Sequence, residues 1–265
     1  MHRWLAAPPI DARGVARAGP DGAMPPGPEE RTDRGCVAGI DLGTTNSAIA
    51  VLEGDQPVIV PNKQGDLTTP SVVSLAGEEV FVGATAKRRG MMDPLGTFYS
   101  VKRLIGQMAG DVTKDAEHVA FGTGEDEDGM VTLRVDSEQV YPEEVSAIVL
   151  AQLLEDARQF KNEEITRAVI SVPAYFNDEQ KDATVAAGEM AGLQKVRLLR
   201  EPIAAALAYG VKATEDQTVL VFDLGGGTFD VSLLEVGGGV IEVLSTGGDP
   251  HLGGDDFDQI IVEWL

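Results

Sequence analysis

Residues 219–234 read Val-Leu-Val-Phe-Asp-Leu-Gly-Gly-Gly-Thr-Phe-Asp-Val-Ser-Leu-Leu. Apolar runs of this length bounded by glycine predict two strands joined by a tight turn. The glycines at 225–227 let a ligand approach consecutive backbone N–H groups, which form an anion nest suited to phosphate. Asp223 and Asp230 flank the turn, and two carboxylates beside a phosphate favour a divalent cation between them. The stretch predicts Mg²⁺ with a nucleotide, and the alternative is a glycine-rich hairpin with solvated acids.

The same pattern occurs a second time in the chain. Residues 41–53 read Asp-Leu-Gly-Thr-Thr-Asn-Ser-Ala-Ile-Ala-Val-Leu-Glu and align without gaps on residues 223–235, an offset of 223 − 41 = 182. The flanks also agree, because residues 58–59 and 240–241 are both apolar pairs at this offset. An offset this long indicates a duplicated lobe rather than a short repeat. Two lobes with one phosphate turn each predict a nucleotide held in the cleft between them.

Composition narrows the function classes. The 265 residues are enough for one large or two smaller domains. The chain has 43 acidic and 21 basic residues, a formal charge of −22, which argues against nucleic acid and anionic membranes as partners. A lone cysteine, Cys36, excludes a disulfide framework and fits a reducing compartment. No run of 18 apolar residues occurs, so we expect no membrane span.

The first 34 residues differ from the rest. They contain scattered proline, glycine and alanine without a hydrophobic period, which predicts a disordered leader. Arg3, Arg13 and Arg17 are compatible with an organelle transit peptide, although serine is absent and acids begin at Asp11. An upstream extension with no role in folding is the alternative.

Strands and helices alternate between residues 141 and 210. Pro142 begins a helix, residues 167–172 form a buried strand, and Asn177 with Gln180 caps a helix that stops near Gly192. Residues 196–199 form the next strand, and an alanine-rich helix follows. This order predicts an α/β fold with a mixed or parallel sheet covered by helices. Residues 110–140 are acidic, and we interpret them as a solvated loop between short strands without a function.

Two charged residues are candidates for chemistry. Glu201 lies between a strand end and a helix start, where α/β proteins place ligands and where a carboxylate can orient or deprotonate water. The alternative is an acid that only interacts with the helix dipole. Lys102 lies in the stretch Tyr-Ser-Val-Lys-Arg-Leu-Ile-Gly at 99–106, and the ordinary interpretation is an exposed helix lysine.

Five motifs in order resemble the ATPase domain of the heat shock protein 70, or DnaK-type, chaperones, from about Gly35 to the last residue. They are Asp-Leu-Gly-Thr-Thr-Asn-Ser at 41–47, Val-Pro-Ala-Tyr-Phe-Asn-Asp at 172–178, Glu201-Pro202 with the alanine-rich helix, Asp-Leu-Gly-Gly-Gly-Thr-Phe-Asp at 223–230, and His-Leu-Gly-Gly-Asp-Asp-Phe-Asp at 251–258. Asn46, where cytosolic eukaryotic members usually have tyrosine, indicates the bacterial or organellar branch.

The resemblance implies the actin-like, sugar-kinase-like two-lobed ATPase fold with duplicated phosphate-binding units. It assigns residues 1–34 to a leader, 35–215 to the first lobe and 216–265 to the start of the second lobe. The family's ATPase domain continues further, so we expect the second lobe to be truncated here, without the peptide-binding domain.

The resemblance also implies the site. ATP or ADP with Mg²⁺ would be the cofactors. Lys102 would reach the γ-phosphate and Glu201 the attacking water, with Asp230 and Thr228 as further catalytic residues, and Thr228 as an autophosphorylation site. Asp41 and Asp223 would hold the metal ion. The remaining nucleotide-binding residues are Gly43, Thr44, Thr45, Asn46, Gly225, Gly226, Gly227, Gly253 and Gly254.

The implied function is an ATP-hydrolysing chaperone domain that assists protein folding in a bacterial cytoplasm or an organelle matrix or stroma, and is not secreted. Its implied partners are a J-domain co-chaperone and a nucleotide-exchange factor, and unfolded clients through a domain not present here. Departures from the family pattern are Arg200, Ile203, Lys181 and Pro250. Two alternatives stay open: a non-catalytic fragment with weak or no nucleotide binding, and a kinase or filament protein of the same fold, for which no motif is found.

Overall fold

The computed structural model describes residues 36–76, 79–117, 119–135 and 138–265, so the predicted leader at 1–34 lies outside the described residues. The strands are β1 Cys36–Asp41, β2 Asn46–Glu53, β3 Gln56–Ile59, β4 Thr69–Pro70, β5 Val73–Ala76, β6 Glu79–Val82, β7 Thr97–Phe98, β8 Thr123–Glu125, β9 Val131–Val135, β10 Glu138–Val140, β11 Ile165–Val172, β12 Lys195–Arg200, β13 Gln217–Leu224, β14 Phe229–Gly237 and β15 Val240–Asp249. The helices are α1 Ala84–Arg89, α2 Thr113–Glu117, α3 Pro142–Lys161, α4 Asp178–Met190, α5 Glu201–Ala208 and α6 Gly254–Trp264, with a 3₁₀ turn at Val101–Arg103.

The main sheet has the strand order β12-β11-β1-β2-β3, and β4 extends it by pairing with β2. β12, β11 and β1 run parallel, whereas β1, β2 and β3 form an antiparallel meander. α3 packs on β2 and α4 packs on β12, so apolar residues of the sheet are covered by helices. Ile40 and Ile170 are buried in the centre of this core. The architecture is α/β, and the predicted mixed sheet covered by helices is confirmed.

The helix boundaries follow local sequence chemistry. Pro142 occupies the first turn of α3, where its missing N–H costs no hydrogen bond, and Glu144 Oε2 accepts from the Tyr141 N–H at 2.7 Å. Asn177 and Gln180 cap α4 reciprocally, with bonds of 2.8 and 3.1 Å, as the sequence predicted. These caps fix the first turns of two helices that cover the main sheet.

The second meander forms a separate three-stranded sheet, β13-β14-β15. Asp41 pairs with Ala48 in the first unit, and Asp223 pairs with Asp230 in the second. Adding 182 to 41 and 48 gives 223 and 230, so the turn and its register are the same in both units. The gap-free alignment of the two turns is therefore confirmed.

The predicted match of residues 58–59 with 240–241 is wrong. Glu53 pairs with Gln56 across the second hairpin of the first unit, whereas Gly237 pairs with Val240 in the second unit, and 237 − 53 is 184 rather than 182. The hairpin therefore lies two residues later in the second unit. Gly238 and Gly239 both have positive φ there, which suits a tight turn between longer strands.

Residues 110–140 are less solvated than predicted. The acidic turn at 126–129 is a loop, but β9 beside it contributes Val131, Leu133 and Val135 to the core. Asp126 orders the turn, because its carboxylate accepts from the Met130 N–H at 2.8 Å and from the Tyr141 hydroxyl at 3.0 Å. The alternation of apolar residues in β9 outweighs the acidic composition around it. Within the described residues, no helix is both long and apolar enough to cross a bilayer.

Candidate functional site

A cleft of about 810 Å³ lies between the two meanders. The glycine-containing turns of both units line it from opposite sides, and the 3₁₀ turn and the start of α5 contribute to its wall. Among its lining residues are the predicted site residues Asp41, Gly43, Thr44, Thr45, Asn46, Lys102, Glu201, Asp223, Gly225, Gly226, Gly227 and Thr228. Residues far apart in sequence therefore meet at one cavity large enough for a nucleotide-sized ligand.

Asp41 lies at the carboxyl end of β1, facing its neighbour in the parallel strand β11. The register pairs Asp41 with Ser171, and Ser171 Oγ donates to Asp41 Oδ1 at 3.0 Å. A hydroxyl donor stabilises the ionised carboxylate and fixes its orientation toward the cleft. Asp223 occupies the equivalent strand position in the second unit and is paired with Asp230.

Lys102 and Glu201 form an ion pair across the cleft wall. Lys102 Nζ lies 2.6 Å from Glu201 Oε1, and the two side chains are only 11% and 19% exposed. The interpretation of Lys102 as an ordinary exposed lysine is therefore wrong. Glu201 begins α5, so the helix N-terminus also favours its negative charge.

The predicted catalytic residue Asp230 is not among the residues that line the cleft, but its carboxyl group is strongly perturbed by its surroundings. Burial raises the pKa of Asp230 to about 6, and the carboxylates of Glu201 and Asp223 add to the shift, while Thr228 donates a hydrogen bond that opposes it. Burial likewise raises the pKa of the Tyr175 phenol above its usual range, with Asp230 as a further cause. Converging negative charge in a partly buried place is a property of functional sites that accept a cation.

Hydrogen bonds from α6 and from Arg103 fix the carbonyl groups of the second turn, on the side of the turn away from the cleft. The Gly254 N–H donates to the Gly225 carbonyl at 3.0 Å, and the Asp255 N–H donates to the Gly226 carbonyl at 2.8 Å. The Arg103 guanidinium donates to the Gly227 carbonyl. A trans peptide directs its C=O and N–H to opposite sides. The next three N–H groups, of Gly226, Gly227 and Thr228, are therefore directed away from these anchors, which is the arrangement expected of an anion nest.

The two turns also fit against one another. A Cβ on Gly226 would overlap the Thr45 side chain, and a Cβ on Gly227 would lie 2.6 Å from Thr44 Cγ2. In the first turn, Ser71 Oγ donates to the Gly43 carbonyl at 2.8 Å, which fixes this backbone as well. The cleft is thus narrow at the turns because glycine in one unit faces threonine in the other.

Comparison with known proteins gives the family. The family model described as Hsp70 protein matches residues 37–265. The chain belongs to the Hsp70 family. It is 53% identical over 232 residues to Heat shock 70 kDa protein 7, chloroplastic, of Arabidopsis thaliana, covering 86% of this chain and 32% of that protein. It is 53% identical over 234 residues to Chaperone protein dnaK3 of Thermosynechococcus vestitus, covering 87% of this chain and 34% of that protein. The chain spans about a third of the length of these curated relatives.

Two of the expected nucleotide-binding residues of this Hsp70 chain lie behind the turn. The Gly254 N–H is used by the Gly225 carbonyl, and the Gly253 N–H donates to Asp256 Oδ2 at 2.7 Å. A Cβ on Gly253 would overlap the Gly226 backbone. In this arrangement the two glycines allow α6 to approach the turn closely, which is a supporting position rather than an N–H donor facing the cleft.

The residues that fix the Hsp70 turn from outside were not predicted from the sequence. Arg103, Asp115 and Asp255 received no role, and Ser171 was treated only as part of a strand. Arg103 directly follows Lys102, and Asp255 lies in the His-Leu-Gly-Gly-Asp-Asp motif, so motif membership was the one available sequence signal. Several of their contacts join elements far apart in the sequence, and Arg103 and Gly227 are 124 positions apart.

The cleft has the donor types that Mg²⁺ prefers. Among the described residues, no three His, Cys, Asp or Glu side chains form a cluster that would hold a metal ion by themselves. Mg²⁺ in nucleotide sites typically uses one or two carboxylates, several waters and phosphate oxygens. Asp41 and Asp223 at equivalent strand positions, on opposite sides of the cleft, fit that donor set.

Proposed function

We propose that this chain is the nucleotide-binding part of a DnaK-type Hsp70 chaperone and that the cleft binds and hydrolyses ATP with Mg²⁺. The observation that carries the proposal is the anion nest of Gly226, Gly227 and Thr228, with carbonyls fixed behind it and carboxylates beside it. Three preorganised N–H groups bind phosphate oxygens without further reorganisation. The family membership and the relatives named dnaK support the same function.

Each cleft residue has a specific proposed role. Asp41 and Asp223 would hold Mg²⁺, which supplies positive charge to the phosphates and to the leaving group. The first turn, with Gly43, Thr44, Thr45 and Asn46, would contact phosphate from the opposite side. The second turn would provide the N–H groups of Gly226, Gly227 and Thr228, whereas the Gly225 N–H donates to the Thr228 carbonyl and closes the turn, which Gly253 and Gly254 support. Thr228, bonded to Asp230, is the proposed phosphate acceptor on the protein.

The ion pair of Lys102 with Glu201 suits hydrolysis of a terminal phosphate. Phosphoryl transfer needs mainly positioning and charge neutralisation. The Lys102 ammonium would neutralise a γ-phosphate oxygen, and this would free Glu201 to orient the attacking water and accept its hydrogen bond. Glu201 also contributes to the raised pKa of Asp230, so the two carboxylates interact electrostatically. Lys102 and Glu201 are proposed to act as one unit.

Partners and location are proposed from the same relationship. Heat shock 70 kDa protein 7 is named as chloroplastic, and the dnaK relatives have bacterial-type names. We infer a bacterial-type cytoplasm or an organelle matrix for this chain. A J-domain co-chaperone, a nucleotide-exchange factor and unfolded clients are the proposed partners of the whole protein.

A second candidate is weak or no nucleotide binding, without turnover, by residues 36–265. The observation that favours it is α6, of which no residue is buried. Its apolar side chains Phe257, Ile260 and Trp264 are 46%, 63% and 82% exposed. A helix with an uncovered apolar face is weakly fixed, and it is this helix that anchors the second turn.

Calorimetric titration with Mg-ATP, followed by a single-turnover hydrolysis assay, tests both candidates. We expect a dissociation constant below about 10 μM, near −7 kcal/mol. Lys102→Ala and Glu201→Ala should each slow hydrolysis by about 10²- to 10³-fold, with binding changed little, because both act on the transferred group. Lys161→Ala, a lysine on α3 that bonds the Leu52 carbonyl, is the matched control.

The outcomes separate the two candidates clearly. The double variant of Lys102 and Glu201 should be no slower than the worse single variant, because the pair acts as a unit. Weak or absent binding by a folded sample supports the second candidate and contradicts the first. Tight binding without turnover contradicts hydrolysis by this chain and also contradicts the second candidate.

A further inference from the structure

Arg103 occupies a central position between the two units. It follows Lys102 on the 3₁₀ turn, and its guanidinium contacts three groups from distant parts of the chain. Besides donating to the Gly227 carbonyl, it places Nη1 3.8 Å from Asp115 Oδ1 and Nη2 3.7 Å from Asp256 Oδ2. The Arg103 side chain is only 15% exposed. A guanidinium buried to this extent is fixed in direction by its partners.

Both carboxylate partners of Arg103 are themselves held by other groups. Asp115 is 7% exposed, and its Oδ1 lies 2.9 Å from His251 Nδ1. Asp256 belongs to the first turn of α6, and its Oδ2 accepts from the Gly253 N–H at 2.7 Å. The four side chains Arg103, Asp115, His251 and Asp256 form the Arg103 cluster. The cluster joins α2 and the 3₁₀ turn on one side to α6 and the strand end before it on the other.

We propose that Arg103 is a positioning residue for phosphate binding, because it fixes the Gly227–Thr228 peptide with the Thr228 N–H toward the cleft. This inference rests on the proposed nucleotide site. The Gly227 C=O points to Arg103, so the Thr228 N–H of the same planar peptide points the opposite way. Arg103 thereby acts on the ligand through the backbone and touches no phosphate itself.

The need for this anchor follows from the residue types in the turn. Glycine allows both signs of φ, so a peptide beside Gly227 rotates more easily than one between residues with side chains. If the peptide flipped, a carbonyl oxygen would face the phosphate instead of an N–H, and attraction would become repulsion. A charged donor holds a carbonyl more strongly than a neutral one does.

The carbonyls of the other two peptides of the nest are not bonded to Arg103. The Gly225 and Gly226 carbonyls accept from the Gly254 and Asp255 N–H groups of α6. Loss of Arg103 should therefore affect the Thr228 N–H and leave the N–H groups of Gly226 and Gly227 oriented. This difference separates a positioning role from a general loss of structure.

Arg103→Met is the test variant, because methionine keeps the apolar stem and removes the charge and the donors. Arg88→Met, on the exposed face of α1, is the control with the same charge change. We expect Arg103→Met to weaken Mg-ADP binding at least tenfold, which is about 1.4 kcal/mol, and Arg88→Met to leave it unchanged. Arg103→Lys should recover part of the loss, since lysine can donate to the Gly227 carbonyl but cannot contact both carboxylates at once.

Backbone amide NMR of ¹⁵N-labelled protein provides the specific readout. In the native protein, Mg-ADP should shift the amide signals of Gly226, Gly227 and Thr228. In Arg103→Met the Thr228 shift should be lost while those of Gly226 and Gly227 remain.

Native affinity in Arg103→Met, or equal loss of all three amide shifts in a folded variant, would overturn the inference. Absence of Mg-ADP binding by the native protein would contradict the proposed function instead. If Arg103→Met does not fold, Asp115→Asn tests the same cluster. We expect a loss of about threefold, near 0.7 kcal/mol, with the Thr228 shift reduced most, and an unchanged Thr228 shift would count against the proposal.

Discussion

The turn after β1 and the turn after β13 have the same strand register, but the first has threonines where the second has glycines. Thr44 and Thr45 of the first turn correspond at an offset of 182 to Gly226 and Gly227 of the second. The threonine side chains occupy the space that Cβ atoms on these two glycines would need. The two turns are therefore complementary, with one turn providing side chains and the other providing bare backbone. Close approach of the two turns depends on that difference.

The two units also differ in burial at equivalent positions. Leu42 is 5% exposed, whereas Leu224, its equivalent, is 48% exposed. The physical reason is the neighbourhood of each strand. β1 lies between β2 and β11 in the main sheet, while β13 is an edge strand of a three-stranded sheet. The first unit is thus part of the main core, and the second unit depends on its turn contacts and on α5.

The largest effect that we expect is a loss of stability on replacing Leu42, and it should be much smaller for Leu224. Leu42→Ala should lower the free energy of unfolding by about 3 kcal/mol, as is typical when a buried leucine leaves a cavity. Leu224→Ala should lower it by less than about 1 kcal/mol, because the side chain is already half exposed. Urea denaturation followed by circular dichroism measures both values. Equal losses would contradict the difference in burial between the units.

Much of this architecture is readable from the sequence, since local chemistry determines it. The apolar runs around Asp41 and Asp223, the Asn177–Gln180 cap and Pro142 at a helix start all specify elements within a few residues. The hairpin after β14 was misplaced by two residues. The sequence signal there was an apolar pair at 240–241, while turn position depends on Gly238 and Gly239 and on strand length.

The residue types that line the candidate site were predictable from the sequence, whereas the residues that hold them in place were not. The chemistry of carboxylates and glycines is evident from their residue types, so Asp41, Asp223 and the second turn were predicted from the pattern, and all of them line the cleft. Arg103 and Ser171 act through partners that only the tertiary fold brings near, as with Ser171 across the parallel strands β1 and β11. The ion pair of Lys102 with Glu201 joins residues 99 positions apart and has no local signature.

A second prediction tests the complementary turns directly. Gly226→Ala should weaken Mg-ADP binding by about 100-fold, or 2.7 kcal/mol, because the new Cβ overlaps Thr45 and forces the turns apart. Gly110→Ala is the matched control, since nothing lies within 4 Å of a Cβ there. Removing the opposing side chain in Gly226→Ala/Thr45→Gly should recover part of the affinity. Calorimetric titration of the four proteins measures the effect, and no recovery in the double variant would contradict the overlap with Thr45 as its cause.

The smallest expected effect concerns Ala48 and Asp230, which are also equivalent positions. Burial with two neighbouring carboxylates raises the pKa of Asp230 to about 6, above the roughly 3.9 of an unfolded aspartate. The folded protein therefore binds more protons than the unfolded chain between about pH 4 and 6. The free energy of unfolding should fall as pH rises through that window and then stay constant. Asp230→Asn removes this loss.

Urea denaturation at pH 4.5 to 7.5 without Mg²⁺ checks the sign. The free energy of unfolding of Asp230→Asn should rise relative to that of the native protein as pH increases, and exceed it by about 1 kcal/mol at pH 7. This is less than the full pKa shift implies, because solvent screens a half-exposed carboxyl. If the free energies of unfolding of the two proteins change with pH in parallel, the pKa of Asp230 is the same in the folded and unfolded states, which would contradict an excess of negative charge around it. If Mg-ADP abolishes the difference in the free energy of unfolding between the two proteins, the bound ligand compensates the charge of Asp230, which has no counterpart at Ala48 in the first unit. That outcome would support the proposed role of a cation, because burial and the neighbouring Glu201 and Asp223 carboxylates disfavour the ionised Asp230 in the free protein.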